Sequence, residues 1–150
     1  MKRSVHTSVT VALSILVLTA CASVPPGQEG EAFYNAGNYL AAADAFTEEI
    51  DDHPRSAAAW NNRAVARVRL GDLDGAIRDY NRAVELAPSD AEIYFNRGNA
   101  LLTAGQYQNA IIDYDRAIQI TPVYSRALYN RGTAYLLAGQ PEPARRDWQS

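Results

Sequence analysis

The chain is poor in the residues that build most catalytic and metal sites. It has one cysteine, Cys21, and two histidines, His6 and His53, so it can form neither an internal disulfide nor a zinc site with several Cys and His ligands. Its nine glycines are scattered rather than grouped in a phosphate-binding loop. We therefore predict no catalytic residues, no metal site and no dissociable cofactor, in a protein that is not an enzyme.

Positive charge is also scarce. The 14 Lys and Arg residues are outnumbered by 17 Asp and Glu residues, which gives a net charge of −3. Lys2 is the single lysine, and without residues 1–20 the remaining 12 arginines face all 17 acids, a net charge of −5. Such a chain has no extended basic surface, so we expect no nucleic-acid partner.

Apolar runs long enough to cross a membrane are missing too. The ten residues from Val9 to Leu18, VTVALSILVL, are mostly apolar, whereas a membrane-spanning helix needs about 20. This run follows the basic residues Lys2 and Arg3, which is the arrangement of an export signal. Residues 1–20 are therefore predicted to be a signal peptide.

The four residues LTAC, which end at Cys21, resemble the lipobox of bacterial lipoproteins. The resemblance implies cleavage before Cys21 and acylation of its thiol, and two or more acyl chains hold a protein stably on a membrane. Ala22 and Ser23 follow, where aspartate would retain a Gram-negative lipoprotein in the inner membrane. The expected location is therefore the outer membrane, facing the periplasm. The alternatives are an ordinary secretory signal with a chance cysteine, or an uncleaved anchor.

The segment after the cysteine, ASVPPGQEG, contains two prolines and two glycines and shows no periodic apolar pattern. We predict that residues 21–30 are the lipidated cysteine and a flexible tether, with the first helix beginning near Glu29. A tether of this length would keep the folded part within about 30 Å of the bilayer.

An internal repeat dominates the rest of the chain. Residues 57–90 and 91–124 are two consecutive copies of one pattern. The coinciding residues are Trp60 with Tyr94, Gly71 with Gly105, Ala76 with Ala110, Tyr80 with Tyr114, Ala83 with Ala117 and Pro88 with Pro122. The pattern and its period resemble the tetratricopeptide repeat, a helix–turn–helix unit of about 34 residues. With a degenerate copy at about 23–56 and an incomplete one at 125–150, we predict an all-α, right-handed solenoid of about three and a half repeats over residues 31–150.

The resemblance implies that the first helices of the repeats form a concave face that binds a protein or an extended peptide. An asparagine amide suits this task because it both donates and accepts hydrogen bonds, and aromatic rings provide rigid contact area. Alternatively, the asparagines serve the local structure of the repeat. The positions carried over are Asn61, Asn62, Phe95, Asn96, Asn99, Leu102, Tyr129, Asn130 and Thr133, together with Val65, Arg69, Arg126 and Leu136.

Arginine and aspartate recur together with the same period. The pairs, which all have the same separation along the chain, are Arg63 with Asp79, Arg97 with Asp113, and Arg131 with Asp147. Our hypothesis is that each pair bridges the two helices of its own repeat. The alternative is that the charges are solvated and form only weak pairs along one helix, such as Asp79 with Arg82.

Repeat and anchor together resemble bacterial tetratricopeptide lipoproteins, such as NlpI-like adaptors and type IV pilus pilotins. The resemblance implies a membrane-anchored envelope adaptor or, alternatively, an assembly factor for a pilus or secretion complex. A cell-wall enzyme using carboxylates such as Asp113 and Asp115 is a third alternative, against which the lack of an insertion between repeats argues. The carboxylate clamp of chaperone-binding relatives is not expected, because residues 21–150 contain no lysine. A homodimer contact or a contact with a partner is expected at the C-terminal edge near Trp148.

Overall fold

A computed structural model describes residues 25–149, which fold into α-helices with no strand among them. The helices of this range are α1 (Pro26–Asn35), α2 (Tyr39–Asp52), α3 (Ala57–Leu70), α4 (Leu73–Leu86), α5 (Ala91–Thr103), α6 (Tyr107–Ile120), α7 (Ser125–Leu137) and α8 (Pro141–Trp148). They pack as four successive pairs, α1–α2 to α7–α8, and each pair contacts the next. The predicted all-α repeat fold is confirmed. The predicted signal peptide and Cys21 lie outside the described residues.

A left-handed glycine follows the first helix of every pair. Gly37, Gly71, Gly105 and Gly139 have φ angles of +78°, +81°, +74° and +76°. Residues with a Cβ atom rarely adopt this conformation, whereas glycine does so without a steric penalty. The four glycines recur at the same position of each repeat, so the same sharp turn connects the helices of each pair.

The starts of the helices are fixed by short polar residues and prolines. Ser56, Asp72 and Asp90 precede α3, α4 and α5, and their side-chain oxygens accept backbone N–H groups of the first turn. Pro26 and Pro141 are the first residues of α1 and α8, where the missing N–H group would have had no partner within the helix.

The first helix begins earlier than the sequence suggested. α1 starts at Pro26, so the prediction that the tether extends through residue 30, with a helix from about Glu29, is wrong for residues 26–30. Proline suits the first helical position. Gly30 is buried and packs so closely on Phe46 of α2 that a Cβ atom there would lie only 2.6 Å from the ring. Packing against α2 therefore extends the helix towards the N-terminus.

The core has the same period as the sequence. Each second helix carries a fully buried alanine and, four residues later, an aromatic residue; the pairs are Ala42 with Phe46, Ala76 with Tyr80, Ala110 with Tyr114, and Ala144 with Trp148. In the third pair, a Cβ atom on Gly98 would lie 2.7 Å from the ring of Tyr114. In the fourth pair, one on Gly132 would lie 2.5 Å from the ring of Trp148. Small residues on the first helix thus admit a large ring from the second.

The solenoid is curved towards its first helices. α3 contacts α5 and α5 contacts α7 directly, whereas successive second helices are held further apart. A cavity of about 340 Å³ lies between α4 and α6, lined by residues such as Ile77 and Ile112. The surface formed by α1, α3, α5 and α7 is called the concave face below.

Candidate functional site

Three arginines of the first helices bind aspartates of the second helices. In each pair the arginine donates from both Nε and Nη2 to the two carboxylate oxygens, a bidentate geometry that is among the strongest hydrogen-bonded pairs. The pairs and distances are Arg63–Asp79 (2.8 and 2.8 Å), Arg97–Asp113 (2.7 and 2.6 Å) and Arg131–Asp147 (2.8 and 2.6 Å). The predicted bridge within each repeat is confirmed. These three arginines are called the arginine ladder.

The arginine ladder also connects each repeat to the one before it, which the sequence analysis missed. Nη1 of Arg97 donates to Oδ1 of Asn81 at 2.9 Å, and Nη1 of Arg131 donates to Oδ1 of Asp115 at 2.6 Å. Arg63 makes a longer bond of the same kind to Thr47, at 3.2 Å. Since the acceptors lie on α2, α4 and α6, each arginine joins three helices.

Hydrogen bonding to aspartate favours the charged form of the Arg97 and Arg131 guanidinium groups. The bonds that Asp113 and Asp147 accept raise the pKa of Arg97 and Arg131, although partial burial acts in the opposite direction. The equivalent positions of the first repeat are Glu29 and Ala45, so that repeat has no such pair. The arginine ladder is therefore a structural feature of the second to fourth repeats.

Asparagines of the concave face connect neighbouring repeats. The amide of Asn96 donates to Asn61 at 3.2 Å, and the amide of Asn130 donates to Asn99 at 2.7 Å. Asn61 in turn donates to Asn62 at 3.2 Å. Part of each asparagine's hydrogen-bonding capacity is thus used within the solenoid, as the alternative interpretation proposed. The Nδ2 group of Asn99 and Oδ1 of Asn96 form no hydrogen bond with residues 25–149, so both can bind a partner.

Phe95 is not an open contact for a partner. Its side chain is only 6% exposed, and its ring centroid lies 4.9 Å from that of Tyr124 and 6.1 Å from that of Tyr114. The guanidinium of Arg126 covers it at 5.0 Å. The prediction that Phe95 lines the binding surface is therefore wrong, because Tyr124, the last residue of the same repeat, and Arg126 of the following repeat cover its ring.

The other predicted residues of α5 and α7 are more accessible. Tyr129 is 64% exposed, and its backbone oxygen accepts bonds from the side chains of Thr133 and Trp148, each at 3.2 Å. Leu102 is partly buried against the core of the third repeat. Tyr129 is thus the aromatic residue of α7 that is free to contact a partner.

Two neighbouring cavities open between the first helices. One, of about 230 Å³, is lined by Glu31, Tyr34, Asn35, Phe46, Asn62 and Val65. The other, of about 180 Å³, is lined by Tyr34, Val65, Val68, Arg69, Tyr80, Asn96, Asn99, Ala100 and Thr103. Each exceeds the roughly 150 Å³ that accommodates benzene in an engineered protein cavity. Each can therefore receive one side chain of a bound peptide.

Other kinds of site are not found in the described part of the chain. Within residues 25–149 no three His, Cys, Asp or Glu side chains are grouped so that they could hold a metal ion. No helix in the same range has the length and apolar character needed to span a membrane.

The hydroxyls of two equivalent tyrosines differ in their hydrogen bonds. Tyr114 donates to Oδ1 of Asn99 at 2.8 Å, whereas Tyr80 forms no hydrogen bond with residues 25–149. Since a buried hydrogen bond contributes about 1 kcal/mol, we expect Tyr114→Phe to lower the free energy of unfolding by about that amount. Tyr80→Phe should leave it unchanged to within about 0.5 kcal/mol. Urea unfolding followed by circular dichroism would measure both, and equal losses would contradict this difference.

Comparisons with known proteins agree with this architecture. The family model described as "Tetratricopeptide repeat" matches residues 28–91, 64–125 and 95–150. Tetratricopeptide repeat protein 36 of Homo sapiens is 46% identical over 52 residues, which cover 35% of this chain and 28% of that protein. The chain thus spans less than a third of the length of this curated relative.

Two solved structures share the fold. MamA superposes with a TM-score of 0.79 at 23% identity, over 83% of this chain and 72% of that one. The first tetratricopeptide domain of Spaghetti (RPAP3), bound to the HSP90 peptide SRMEEVD, gives a TM-score of 0.68 at 26% identity, over 83% of this chain and 91% of that one. The fold is typical of domains for protein–protein interaction, which are generally non-catalytic scaffolds. The overlapping family matches extend from residue 28 to residue 150, and the chain therefore belongs to the tetratricopeptide repeat family.

Proposed function

We propose that this protein is a membrane-anchored adaptor of the bacterial cell envelope that binds an extended peptide segment of a partner protein on its concave face. The observation that carries the proposal is the pair of adjacent cavities between the first helices, which share Tyr34 and Val65 as their common wall. Two such cavities side by side suit successive side chains of an extended peptide better than one compact small molecule.

Polar groups along the cavities support peptide binding. Asn62 lines the first cavity, and Asn96 and Asn99 line the second. Their amides provide both donors and acceptors for a peptide backbone. The solved complex of a related domain with the peptide SRMEEVD is a precedent for a peptide on this fold.

The proposed anchor rests on the lipobox-like sequence that ends at Cys21. Only four residues separate Cys21 from the start of α1 at Pro26, and they span at most about 14 Å when fully extended. Acylation of Cys21 would therefore hold the first repeat next to the bilayer, with the concave face displayed in the periplasm. This tether is shorter than the one proposed from sequence.

The anchor can be tested by metabolic labelling with radioactive palmitate. We expect the wild type to incorporate label and to sediment with the outer membrane, and Cys21→Ser to do neither. Label in the variant, or an unlabelled wild type in the soluble fraction, would contradict the proposed lipid attachment.

Binding on the concave face can be tested by crosslinking pull-down from the envelope of the bacterium that makes the protein. We expect Asn96→Ala/Tyr129→Ala to reduce recovery of the wild-type partner by at least about tenfold, since Tyr129 is exposed and Asn96 is partly exposed on the first helices. The matched control Gln108→Ala/Ile112→Ala changes exposed residues of a second helix and should have no effect. Equal recovery with both variants would contradict the proposal.

The identity of the recovered partner separates two versions of this function. A subunit of a pilus or secretion complex would favour a pilotin-like assembly factor.

A second contact is proposed at the C-terminal edge, where Leu137 and Trp148 are about half exposed. If this edge forms a homodimer, sedimentation at tens of micromolar should show a dimer that Trp148→Ala converts to a monomer.

A further inference from the structure

One buried hydroxyl opens into the second cavity. Tyr80 is only 2% exposed, lines that cavity and forms no hydrogen bond with residues 25–149. In the same range no polar side-chain atom that is sealed from solvent lacks a partner. The hydroxyl must therefore reach the cavity itself, where a bound molecule could accept its proton in a hydrogen bond.

The next repeat shows what is missing around Tyr80. Tyr114 is the equivalent residue of that repeat, and its hydroxyl donates to Asn99 at 2.8 Å. The residue equivalent to Asn99 in the repeat of Tyr80 is Val65, whose side chain has no acceptor. A single difference between the repeats thus leaves one donor unused, at a point on the concave face where a partner can reach it.

The groups around this hydroxyl include N–H donors and one positive charge, together with a free acceptor, Oδ1 of Asn96. Oδ1 of Asn99 already accepts bonds from Tyr114 and Asn130, so its amide N–H groups are the part left for a ligand. Arg69 donates from Nη2 to the hydroxyl of Tyr39 at 2.7 Å, and its other N–H groups remain available to a ligand. No carboxylate lines the cavity. Burial raises the pKa of Tyr80, so its hydroxyl stays protonated and remains a donor.

We propose that this second cavity, called the Tyr80 cavity, binds the side-chain carboxylate of an Asp or Glu residue in the partner peptide. Tyr80 and the amide of Asn99 donate hydrogen bonds to it, and Arg69 supplies the opposite charge. A neutral acceptor would gain the first two bonds only, whereas a carboxylate also gains the charge-assisted one, which is the stronger kind. The inference rests on the proposed peptide-binding function and names the side chain that the peptide must carry.

The test begins with a library of random 12-residue peptides on phage, selected against the full chain in mild detergent. We expect the enriched peptides to share an Asp or Glu at one fixed position. For a synthetic peptide of this set, changing that acid to Gln or Asn should weaken binding about tenfold. Amidation of the peptide's C-terminus should have no effect, which distinguishes a side-chain carboxylate from a terminal one.

Two variants test whether the peptide carboxylate binds in the Tyr80 cavity. Tyr80→Phe removes the donor, and Val65→Asn supplies the internal acceptor that the next repeat has. Each variant should weaken binding of the acidic peptide about tenfold and change binding of the Gln or Asn analogue little. The thermal unfolding midpoint of Tyr80→Phe should stay at the wild-type value. Gln108→Ala, on a second helix, is the control and should change nothing.

Two kinds of failure can be told apart. The first failure is that Asn96→Ala/Tyr129→Ala abolishes binding of the selected peptides, but Tyr80→Phe, Val65→Asn and loss of the acid do not weaken it. That result would overturn the assignment of the Tyr80 cavity and leave peptide binding on the concave face intact. Loss of affinity on C-terminal amidation alone would overturn the assignment as well. If no peptide is enriched, or the concave double variant binds like the wild type, the proposed function is overturned and this inference with it.

Discussion

Replacing Asp79 by alanine is expected to lower the free energy of unfolding by about 3–5 kcal/mol, the usual cost of removing one partner from a buried ion pair. Asp79 accepts two bonds from Arg63 at 2.8 Å and one from Arg67 at 2.7 Å, and it is almost fully buried. Its loss would leave the guanidinium of Arg63 buried without its carboxylate. Urea unfolding of the full chain, followed by circular dichroism, would measure the change.

An exposed pair provides the control for this experiment. Arg82 and Glu85 lie on the surface of α4 with their charged atoms 2.7 Å apart. Such pairs contribute only a few tenths of a kcal/mol, so Glu85→Ala should change the free energy of unfolding by less than about 0.5 kcal/mol. If Asp79→Ala costs no more than Glu85→Ala, the arginine ladder does not hold the two helices of a repeat together.

The second large effect is expected at the aromatic position of the repeats. Tyr114 is fully buried between α5 and α6, and Tyr114→Ala should cost about 4 kcal/mol, as do other large-to-small changes of buried aromatic residues. Trp148 occupies the equivalent position of the last repeat but is 45% exposed. Trp148→Ala should therefore cost only about 1–2 kcal/mol, since less surface is removed from water.

The difference between these two positions is the informative quantity, and the same unfolding measurement gives it. A larger loss for Trp148→Ala than for Tyr114→Ala would mean that Trp148 is covered in solution. Such a result would contradict the exposure seen here and favour the proposed homodimer at the C-terminal edge.

Features that lie within one repeat could be predicted from the sequence. The period of the repeat determines the helix pairs and the left-handed glycines, because each copy folds by the same local rules. The bond between Arg97 and Asp113 was predictable as well, since their constant separation in successive copies places them on the two helices of one pair. Local chemistry was enough for these conclusions.

Features that depend on contacts between repeats could not be predicted in the same way. The bond from Arg97 to Asn81 links two repeats, and the spacing within one copy does not reveal it. Phe95 occupies a concave-face position, but Tyr124, just before α7, and Arg126 of the next repeat cover it. Tyr80 and Tyr114 coincide in the alignment, yet Val65 in place of Asn99 gives their hydroxyls different environments. The first two cases require knowing which residues approach from outside the two helices of one copy, and the third depends on a position at which the copies differ.

The same distinction separates structural from functional polar residues on the solenoid. The arginine ladder and the bonded atoms of Asn61 and Asn130 have partners within the chain. Arg69 and the hydroxyl of Tyr80 face a cavity that a partner can enter. Binding specificity is therefore expected to depend on a few accessible residues of α3, α5 and α7 together with Tyr80, and stability on the positions that recur in successive repeats.

Site-specific photocrosslinking tests most directly whether the concave face is the binding surface. A benzophenone amino acid would replace Thr103, on the rim of the Tyr80 cavity, or Ile112, which is 64% exposed on a second helix. With the selected peptide present, or in the native envelope, we predict a covalent adduct from position 103 and none from position 112. An adduct from position 112 that equals or exceeds the one from position 103 would contradict binding on the concave face.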